Sequence, residues 1–467
     1  MLSCISCASL SQKSRFDELF DTPSFTAARW GASVKSVESG AFIYRLDDTK
    51  AFTPASNMKL FTTAVALVRL GPEFRFATEL YTNGEVRDGI LHGDLVVRGS
   101  GDPTLSTGVF EKWAEQLRAA GIREIRGALI GDDNVFDDQY LGTGWSWDDA
   151  AFGYAAQISG LSFNDNSVGI EILPGRTIGG PAILKTAPDT GYVTVSNQVI
   201  TVPPGNGPNA LRFSREPGSN RIIVMGEISA QSPALYERIS VHNPTHFAVA
   251  AFKEIMEAKG IRIAGESVDI DDIKMIPDYP SMKKIALHFS QPLYEIIRAT
   301  NKLSRNIYAE QIFRTLGKVI GGEGSTARSA AVVKETLSSM GIPTDTLAVY
   351  DGSGLSRLNL ATPLQIVLLL DAMAKHEYFK YFYDSLPVAG VDGTLERRMK
   401  NTGAEKNLHA KTGYFQQVRA LSGYTTTKEG EMIAFSIMAN NYLGSPTDTR
   451  VLQDRFCEVL SGLPRSR

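Results

Sequence analysis

The 467-residue sequence contains few cysteines, no long apolar run and no excess of charge of one sign. Only Cys4, Cys7 and Cys457 are present, which excludes a disulfide-based scaffold. The longest mainly apolar run, residues 364–374, includes a glutamine and an aspartate and is too short to cross a bilayer. With 48 basic and 51 acidic residues, the formal charge of −3 argues against nucleic acid or an anionic membrane as the partner. A small molecule or a peptide is the expected partner.

The first residues favour neither a metal site nor a complete secretion signal. Cys4 and Cys7 form an isolated CxxC with no second pair and no nearby histidine, so a flexible N-terminus is favoured over zinc or redox chemistry. Met1 to Leu10 is mildly apolar, but it lacks a basic start and is shorter than the roughly 15–30 residues of a secretion signal. It is either the end of a signal whose start is missing or ordinary chain.

The order of patterns along the chain predicts one domain interrupted by another. Hydrophobic residues make up 43% of the chain, enough for a large core, and the length predicts two to four domains. Residues 71–285 contain short β-type runs broken by Gly, Pro and Asp, whereas helical patterns dominate on either side. We therefore predict an α/β domain built from residues 1–70 plus 286–467. The β-rich insertion 71–285 is expected to form two subdomains, one of them near 94–175.

Individual elements are predicted with their boundaries on both sides of this insertion. Residues 41–46 read as a strand, and a helix is predicted to begin at Pro54 and to end at Gly71. A continuous helical stretch is predicted from Pro292 to Leu316. Further predicted elements are helices over 326–340 and 363–375, a hairpin formed by 418–425 and 432–438, and a closing helix with apolar positions Val451, Leu452, Phe456 and Leu460.

The most informative local pattern is Ser56-Asn57-Met58-Lys59 at the start of the first predicted helix. Residues three apart share one helical face, so the Ser56 hydroxyl and the Lys59 amine can meet. A buried, neutral lysine can act as the base that activates a serine, and the unpaired N–H groups of a helix start can hold an oxyanion. The same spacing recurs at Ser281–Lys284, so the pattern alone is weak evidence.

Two further triplets carry compatible chemistry. Ser304-Arg305-Asn306 offers a hydroxyl that can relay a proton and an amide that can bind both substrate and Lys59, although a polar helix surface is the alternative. Lys411-Thr412-Gly413 ends an extended segment, where a strand edge could pair with a peptide and the two side chains could attract a carboxylate. The backbone N–H of Tyr414 would complete the oxyanion hole.

The ordered trio SxxK, SxN and KTG is the signature of β-lactamases and penicillin-binding proteins. From about residue 25 to 460, the chain resembles the D-alanyl-D-alanine carboxypeptidase/endopeptidases among the low-molecular-mass, class C penicillin-binding proteins. The matching segments beyond the trio are Gly99-Ser100-Gly101-Asp102-Pro103, Gly131-Asp132-Asp133-Asn134, Trp145-Ser146-Trp147-Asp148-Asp149, Ser304 to Glu310, and Asp351-Gly352-Ser353-Gly354-Leu355-Ser356-Arg357.

The resemblance implies a β-lactamase/transpeptidase-like α/β domain, with an antiparallel sheet flanked by helices, and two inserted domains. It also implies an acyl-enzyme on Ser56, peptidoglycan stem peptides and β-lactams as ligands, no cofactor or metal, and a periplasmic or extracellular location. By position, the family's side-chain recognition residues would be Trp145, Asp148, Ser353, Leu355 and Arg357. Arg305 and Tyr414 depart from the residues common in the family, which bears on side-chain and leaving-group preference.

Other interpretations remain open at this point. A serine β-lactamase or esterase on the same fold is possible, although the chain lacks the Glu-x-x-Leu-Asn pattern of fast deacylation. A non-catalytic wall-binding or β-lactam-sensing protein would not need both Ser56 and Lys59. Calcium at Asp132, Asp133, Asp137 and Asp138 is less favoured than capped turns, because the spacing is not that of an EF-hand.

Overall fold

A computed structural model describes residues 15–21, 27–205, 209–273 and 276–465. The CxxC pair and most of the N-terminal segment lie outside the described residues. The chain divides into two compact units. The first comprises Met1–Phe74, Gly142–Gly144 and Pro292–Arg467, and the second comprises Arg75–Leu141 and Trp145–Gln291. The separation of the inserted region into two subdomains stays a prediction.

The strands and helices are numbered along the chain. The strands are β1 (Arg29–Ser36), β2 (Phe42–Leu46), β3 (Ala77–Thr82), β4 (Glu85–Arg87), β5 (Ile90–His92), β6 (Leu95–Arg98), β7 (Glu124–Ile125), β8 (Leu129–Asp132), β9 (Ser167–Leu173), β10 (Ile183–Ala187), β11 (Thr194–Val202), β12 (Ala210–Arg215), β13 (Arg221–Ser229), β14 (Leu235–Ser240), β15 (Arg262–Ile263), β16 (Ser267–Asp269), β17 (Lys283–Phe289), β18 (His409–Phe415), β19 (Val418–Thr426) and β20 (Met432–Asn440). The helices are α1 (described over 15–20), α2 (Met58–Leu70), α3 (Thr107–Ala119), α4 (Pro244–Ala258), α5 (Leu293–Lys302), α6 (Asn306–Gly321), α7 (Thr326–Ser339), α8 (Pro363–Ala374), α9 (Phe379–Ser385) and α10 (Pro446–Ser461).

The first unit is built on an antiparallel sheet with the strand order β18-β19-β20-β1-β2. Strands β19 and β20 are buried along most of their length, because helices pack against the sheet, α8 over β20 and β1 and α10 over β19. Phe435, Ile437, Phe456 and Leu460 are among the fully buried residues of this core. Within the described chain, β18 is an edge strand of this sheet.

The second unit is rich in β-structure, with several small sheets and the helices α3 and α4. Its largest sheet has the order β16-β8-β6-β3-β17, in which β6 and β8 are parallel and β3 and β17 antiparallel. The apolar stripe of α4 is buried at Phe247, Phe252 and Met256, and the side chain of Asn243 caps the helix by accepting from the His246 N–H. Among the described residues, no helix combines the length and the apolar character needed to cross a membrane.

Most of the individually predicted elements are confirmed within one or two residues, but two predictions fail at the first two motifs. The helix predicted from Pro54 begins as a 3-10 turn over Ala55–Asn57, and the α-helix starts only at Met58. The helical stretch predicted from Pro292 to Leu316 is broken between α5 and α6, where Ser304 adopts a left-handed φ of 57°. Apolar periodicity does not report such local backbone reversals.

Candidate active site

Ser56 and Lys59 lie at the junction between the 3-10 turn and α2. The Lys59 Nζ atom is 3.0 Å from the Ser56 Oγ atom, so the predicted meeting of the two side chains is confirmed. Lys59 is completely buried, whereas Ser56 is half-buried and therefore accessible to a ligand. Ala55, immediately before the serine, has a left-handed φ of 47°, a conformation that costs energy for a residue with a Cβ atom.

Two oxygen atoms fix the amine of Lys59 in place. Its Nζ atom is 2.7 Å from the Asn306 Oδ1 atom and 2.7 Å from the backbone oxygen of Ser353. Burial lowers the pKa of Lys59 to about 7, although the negative charges of Asp351 and Glu310 act in the opposite direction. A substantial fraction of the amine is therefore neutral near pH 7 and able to accept a proton.

Sequence reasoning assigned no role to Glu310, which supports this arrangement from α6. The fully buried carboxylate accepts from the N–H of Ser353 at 2.7 Å and from the N–H of Gly352 at 3.1 Å. Burial, together with the charge of Asp351, raises the pKa of Glu310 to about 7. Glu310 is the last residue of the matching segment Ser304 to Glu310. Its position in the sequence gave no indication of a contact with Gly352 and Ser353, which lie more than 40 positions away.

Ser304 and Lys411 form a second polar pair. The Lys411 Nζ atom donates to the Ser304 Oγ atom at 2.9 Å, and Lys411 is completely buried. Burial and the nearby charge of Lys59 lower the pKa of Lys411 well below its ordinary value. Asn57, inside the SxxK segment, donates from Nδ2 to the backbone oxygen of Lys411 at 2.9 Å. The three motifs are thus joined by hydrogen bonds.

The strand β18 runs past the serine. Gly413 lies so close to the 3-10 turn that a Cβ atom at this position would come within 2.6 Å of the Pro54 carbonyl oxygen. The Thr412 side chain is part-exposed, and its hydroxyl donates to the hydroxyl of Thr394 at 2.8 Å. Tyr414 is exposed and follows directly in the strand, where its backbone N–H is the predicted second donor of the oxyanion hole.

The proposed recognition residues occupy different environments. Ser353 and Leu355 are buried, and Ser353 contacts Lys59 through its backbone oxygen rather than its hydroxyl. Arg357 is exposed and places its guanidinium 5.0 Å from the centre of the ring of Phe415, two residues after Gly413. Trp145 and Asp148 belong to the second unit, and their role stays a prediction.

The acidic cluster considered as a calcium site lies in the second unit. Asp132 and Asp137 accept from the backbone N–H groups of Asn134 and Gln139, so these two carboxylates cap turns, as expected from the sequence. Asp133 instead is buried and accepts from the hydroxyls of Ser159 and Thr245. Its carboxylate lies near those of Asp269 and Asp271, and burial together with the charge of Asp269 raises the pKa of Asp133 to about 7.

Comparison with known proteins assigns the chain to a family. Residues 12–461 match the model of the D-Ala-D-Ala carboxypeptidase 3 (S13) family. The chain belongs to this family. The S13 chain is 35% identical over 445 residues to the D-alanyl-D-alanine carboxypeptidase of Actinomadura sp. (strain R39), covering 92% of this chain and 80% of the relative.

Solved structures place the S13 chain on the same fold as penicillin binding protein 4 (dacB) from Haemophilus influenzae. The TM-score is 0.85 at 26% sequence identity, and the match covers 96% of this chain and 99% of that protein. A second structure of that protein, complexed with a novel β-lactam, matches with a TM-score of 0.78 over 95% of this chain. The predicted mixed α/β, β-lactamase/transpeptidase-like class is therefore confirmed.

Proposed function

We propose that the protein is a serine-type D-Ala-D-Ala carboxypeptidase that also acts as an endopeptidase on peptidoglycan cross-links. The observation that carries the proposal is the 3.0 Å approach of a buried lysine amine, with a pKa of about 7, to the half-exposed hydroxyl of Ser56. An activated serine beside a carboxylate-attracting strand edge is suited to acyl transfer from a peptide that ends in a free carboxylate. Stem peptides and β-lactams are accordingly the proposed ligands.

The mechanism follows from the contacts of the two motif lysines. Neutral Lys59 accepts the proton of Ser56, whose oxygen attacks the carbonyl carbon of the penultimate D-Ala. The N–H groups of Ser56 and Tyr414 hold the oxyanion of the tetrahedral intermediate. Ser304, which is hydrogen-bonded to Lys411, delivers a proton to the leaving amine, and water then hydrolyses the Ser56 ester.

Asn306, Lys411 and Thr412 position the reactants. Asn306 accepts from Lys59 through Oδ1, and its amide N–H₂ group is the proposed donor to the substrate carbonyl. Lys411 and Thr412 bind the terminal carboxylate, and Gly413 allows the substrate backbone to approach β18. The residues proposed to recognise the side chain of the diamino acid are Trp145, Asp148, Ser353, Leu355 and Arg357. A periplasmic or extracellular location is proposed because peptidoglycan stems lie outside the cytoplasmic membrane.

Intact-mass spectrometry after incubation with penicillin tests this proposal. The expected result is a stoichiometric adduct that peptide mapping locates on Ser56 and that is absent from the Ser56→Ala variant. An adduct on another residue would contradict the mechanism. A long-lived adduct is expected, whereas rapid loss with turnover of penicillin would favour the β-lactamase alternative. Peptidoglycan binding that persists in Ser56→Ala with an unchanged biological role would favour the non-catalytic binder.

A further inference from the structure

A short turn outside the three motifs contacts the strand that carries the third one. The 3-10 turn Gly393–Leu395 presents Thr394, whose side chain is exposed, directly beside Thr412. The Thr412 hydroxyl donates to the Thr394 Oγ1 atom at 2.8 Å. A threonine hydroxyl that accepts a hydrogen bond retains its own proton as a donor. Thr394 therefore has one O–H group available to a ligand that reaches Thr412.

The turn is held in position from the helix that precedes Ser304. Lys302, the last residue of α5, binds both carboxylate oxygens of Asp392, at 2.6 and 2.9 Å. Asp392 also accepts from the N–H of Val388 at 2.9 Å, and the side chain of Leu395 is completely buried. Lys302 is mostly buried, so this ion pair is shielded better than one in open solvent. The position of Thr394 is thus fixed on both sides of the turn.

On β18, Tyr414 lies on the same strand face as Thr412. The residue after Gly413 is Tyr414, and its ring lies 4.5 Å from the guanidinium of Arg419 on the neighbouring strand β19. The tyrosine side chain is therefore directed toward Arg419. The hydroxyl that is hydrogen-bonded to Thr412 is that of Thr394, on the turn Gly393–Leu395.

We propose that Thr394 is a specificity-determining residue. When the substrate binds, the Thr412 hydroxyl turns its single proton from Thr394 to the terminal carboxylate, and Thr394 donates its own hydroxyl proton to the same carboxylate, beside Lys411. This inference rests on the proposed function, because it concerns the carboxylate of the same substrate. A carboxylate accepts several hydrogen bonds at once, and those from hydroxyl donors to a charged oxygen are stronger than bonds between neutral groups. The Asp392–Lys302 pair positions the turn, whereas Thr394 touches the ligand.

The test compares two substrates that differ only at the terminal group. A diacylated L-Lys-D-Ala-D-Ala with a free carboxylate and the corresponding C-terminal amide are hydrolysed by wild type, Thr394→Val and Thr394→Ser. Thr394→Val preserves the shape but removes the hydroxyl, so kcat/KM for the acid should fall about 10- to 100-fold, mainly through KM. The amide should be affected by less than about threefold, and Thr394→Ser should retain activity toward the acid.

Thr447→Val provides the matched control, because Thr447 is also an exposed threonine of the first unit and lies on α10. Thr447→Val should leave kcat/KM unchanged for both the acid and the amide. Unchanged hydrolysis of the acid by Thr394→Val, or an equal loss on both substrates, would overturn the assignment of Thr394. If the wild-type protein hydrolyses neither substrate, the proposed function itself fails. This outcome is distinguishable from a failure of the Thr394 assignment, in which wild type still hydrolyses the acid.

Discussion

The protonation state of Lys59 governs whether Ser56 can be activated. Because burial lowers the pKa of Lys59 to about 7, the amine is mostly charged below that pH and cannot accept the serine proton. We expect the rate of Ser56 acylation by penicillin to fall about tenfold per pH unit below 7, or about 100-fold at pH 5. Stopped-flow acylation between pH 5 and 9 measures this, with circular dichroism as the control for folding. A flat profile from pH 5 to 8 would contradict the assignment of Lys59 as the base.

Glu310 influences the same lysine by its charge and by its hydrogen bonds. Ionised Glu310 raises the pKa of Lys59, but with a pKa of about 7 it is only partly ionised at the midpoint of the profile. Glu310→Gln should therefore shift the midpoint of the acylation profile to lower pH by less than about one unit. Glu310→Ala also removes the acceptor of the Gly352 and Ser353 N–H groups, and each unsatisfied buried donor costs about 1–3 kcal/mol of the free energy of unfolding.

Matched measurements separate the two effects of Glu310. The control is Glu335→Gln, because the Glu335 carboxylate is exposed on α7 and pairs with Arg328. It should change neither the pH profile nor urea unfolding. If Glu310→Gln lowers stability but leaves the acid limb in place, Glu310 has a structural role alone.

The sequence predicted the Ser56–Lys59 contact because three-residue spacing is a local property of helical backbone. It did not predict the contact of Lys59 with the Ser353 carbonyl or the support from Glu310. These contacts join distant segments through backbone atoms, which are the same for every residue type. A residue pattern therefore carries no signal for them.

Among the elements, the loop 351–357 has to fit tightly against the 3-10 turn that carries Ser56. Gly354 has a left-handed φ of 82°, and a Cβ atom at this position would overlap the carbonyl oxygen of Ala55. We therefore expect Gly354→Ala to displace the turn, lowering both the melting temperature and the rate of Ser56 acylation. Thermal unfolding and penicillin labelling measure the two effects.

Gly322 is a suitable comparison for Gly354. It has a similar φ of 87°, but a Cβ atom added at this position would have no neighbouring atom within 4 Å among the described residues. Gly322→Ala should cost only the conformational penalty of about 1–2 kcal/mol and should leave acylation unchanged. If the two alanine variants behave alike, backbone conformation rather than contact with Ala55 explains the effect.

The elements with regular apolar periodicity were predictable, and the breaks between them were not. Predicted helix 326–340 is observed as α7 (Thr326–Ser339), since an apolar stripe and an N-cap serine at position 325 mark it. The turn between α5 and α6 interrupts a stretch whose apolar spacing continues on both sides. The tertiary contact of Ser304 with Lys411 accompanies this turn, and local propensity contains no information about such a contact.

At the scale of the molecule, the change from helical to β-type patterns pointed to an insertion, but not to its details. Residues 142–144 belong with the first unit, although they lie far inside the β-rich part of the sequence. The Ser356 hydroxyl donates to the backbone oxygen of Thr143 at 2.6 Å, which joins this segment to the loop 351–357. Such a contact depends on the folded chain rather than on periodicity in either segment.

A short exposed turn follows Gly142–Gly144 in the chain. Asp148 lies on the 3-10 turn Trp147–Asp149 with its side chain exposed, so its carboxylate is available to a cationic group. If it recognises the side-chain amine of the diamino acid, Asp148→Asn should lower kcat/KM about tenfold for stems with a free amine. For stems with an acetylated amine, kcat/KM should equal that of the wild-type protein, and so should the rate of acylation by penicillin.

The neighbouring Asp149 is the appropriate control for Asp148. Its carboxylate accepts from the Tyr154 hydroxyl at 2.7 Å and is therefore engaged within its own unit. Asp149→Asn should not discriminate between the free and the acetylated amine. Equal losses on both stems in Asp148→Asn would indicate an indirect effect on the fold. Because penicillin lacks the diamino acid, its acylation rate separates recognition by the inserted unit from chemistry at Ser56.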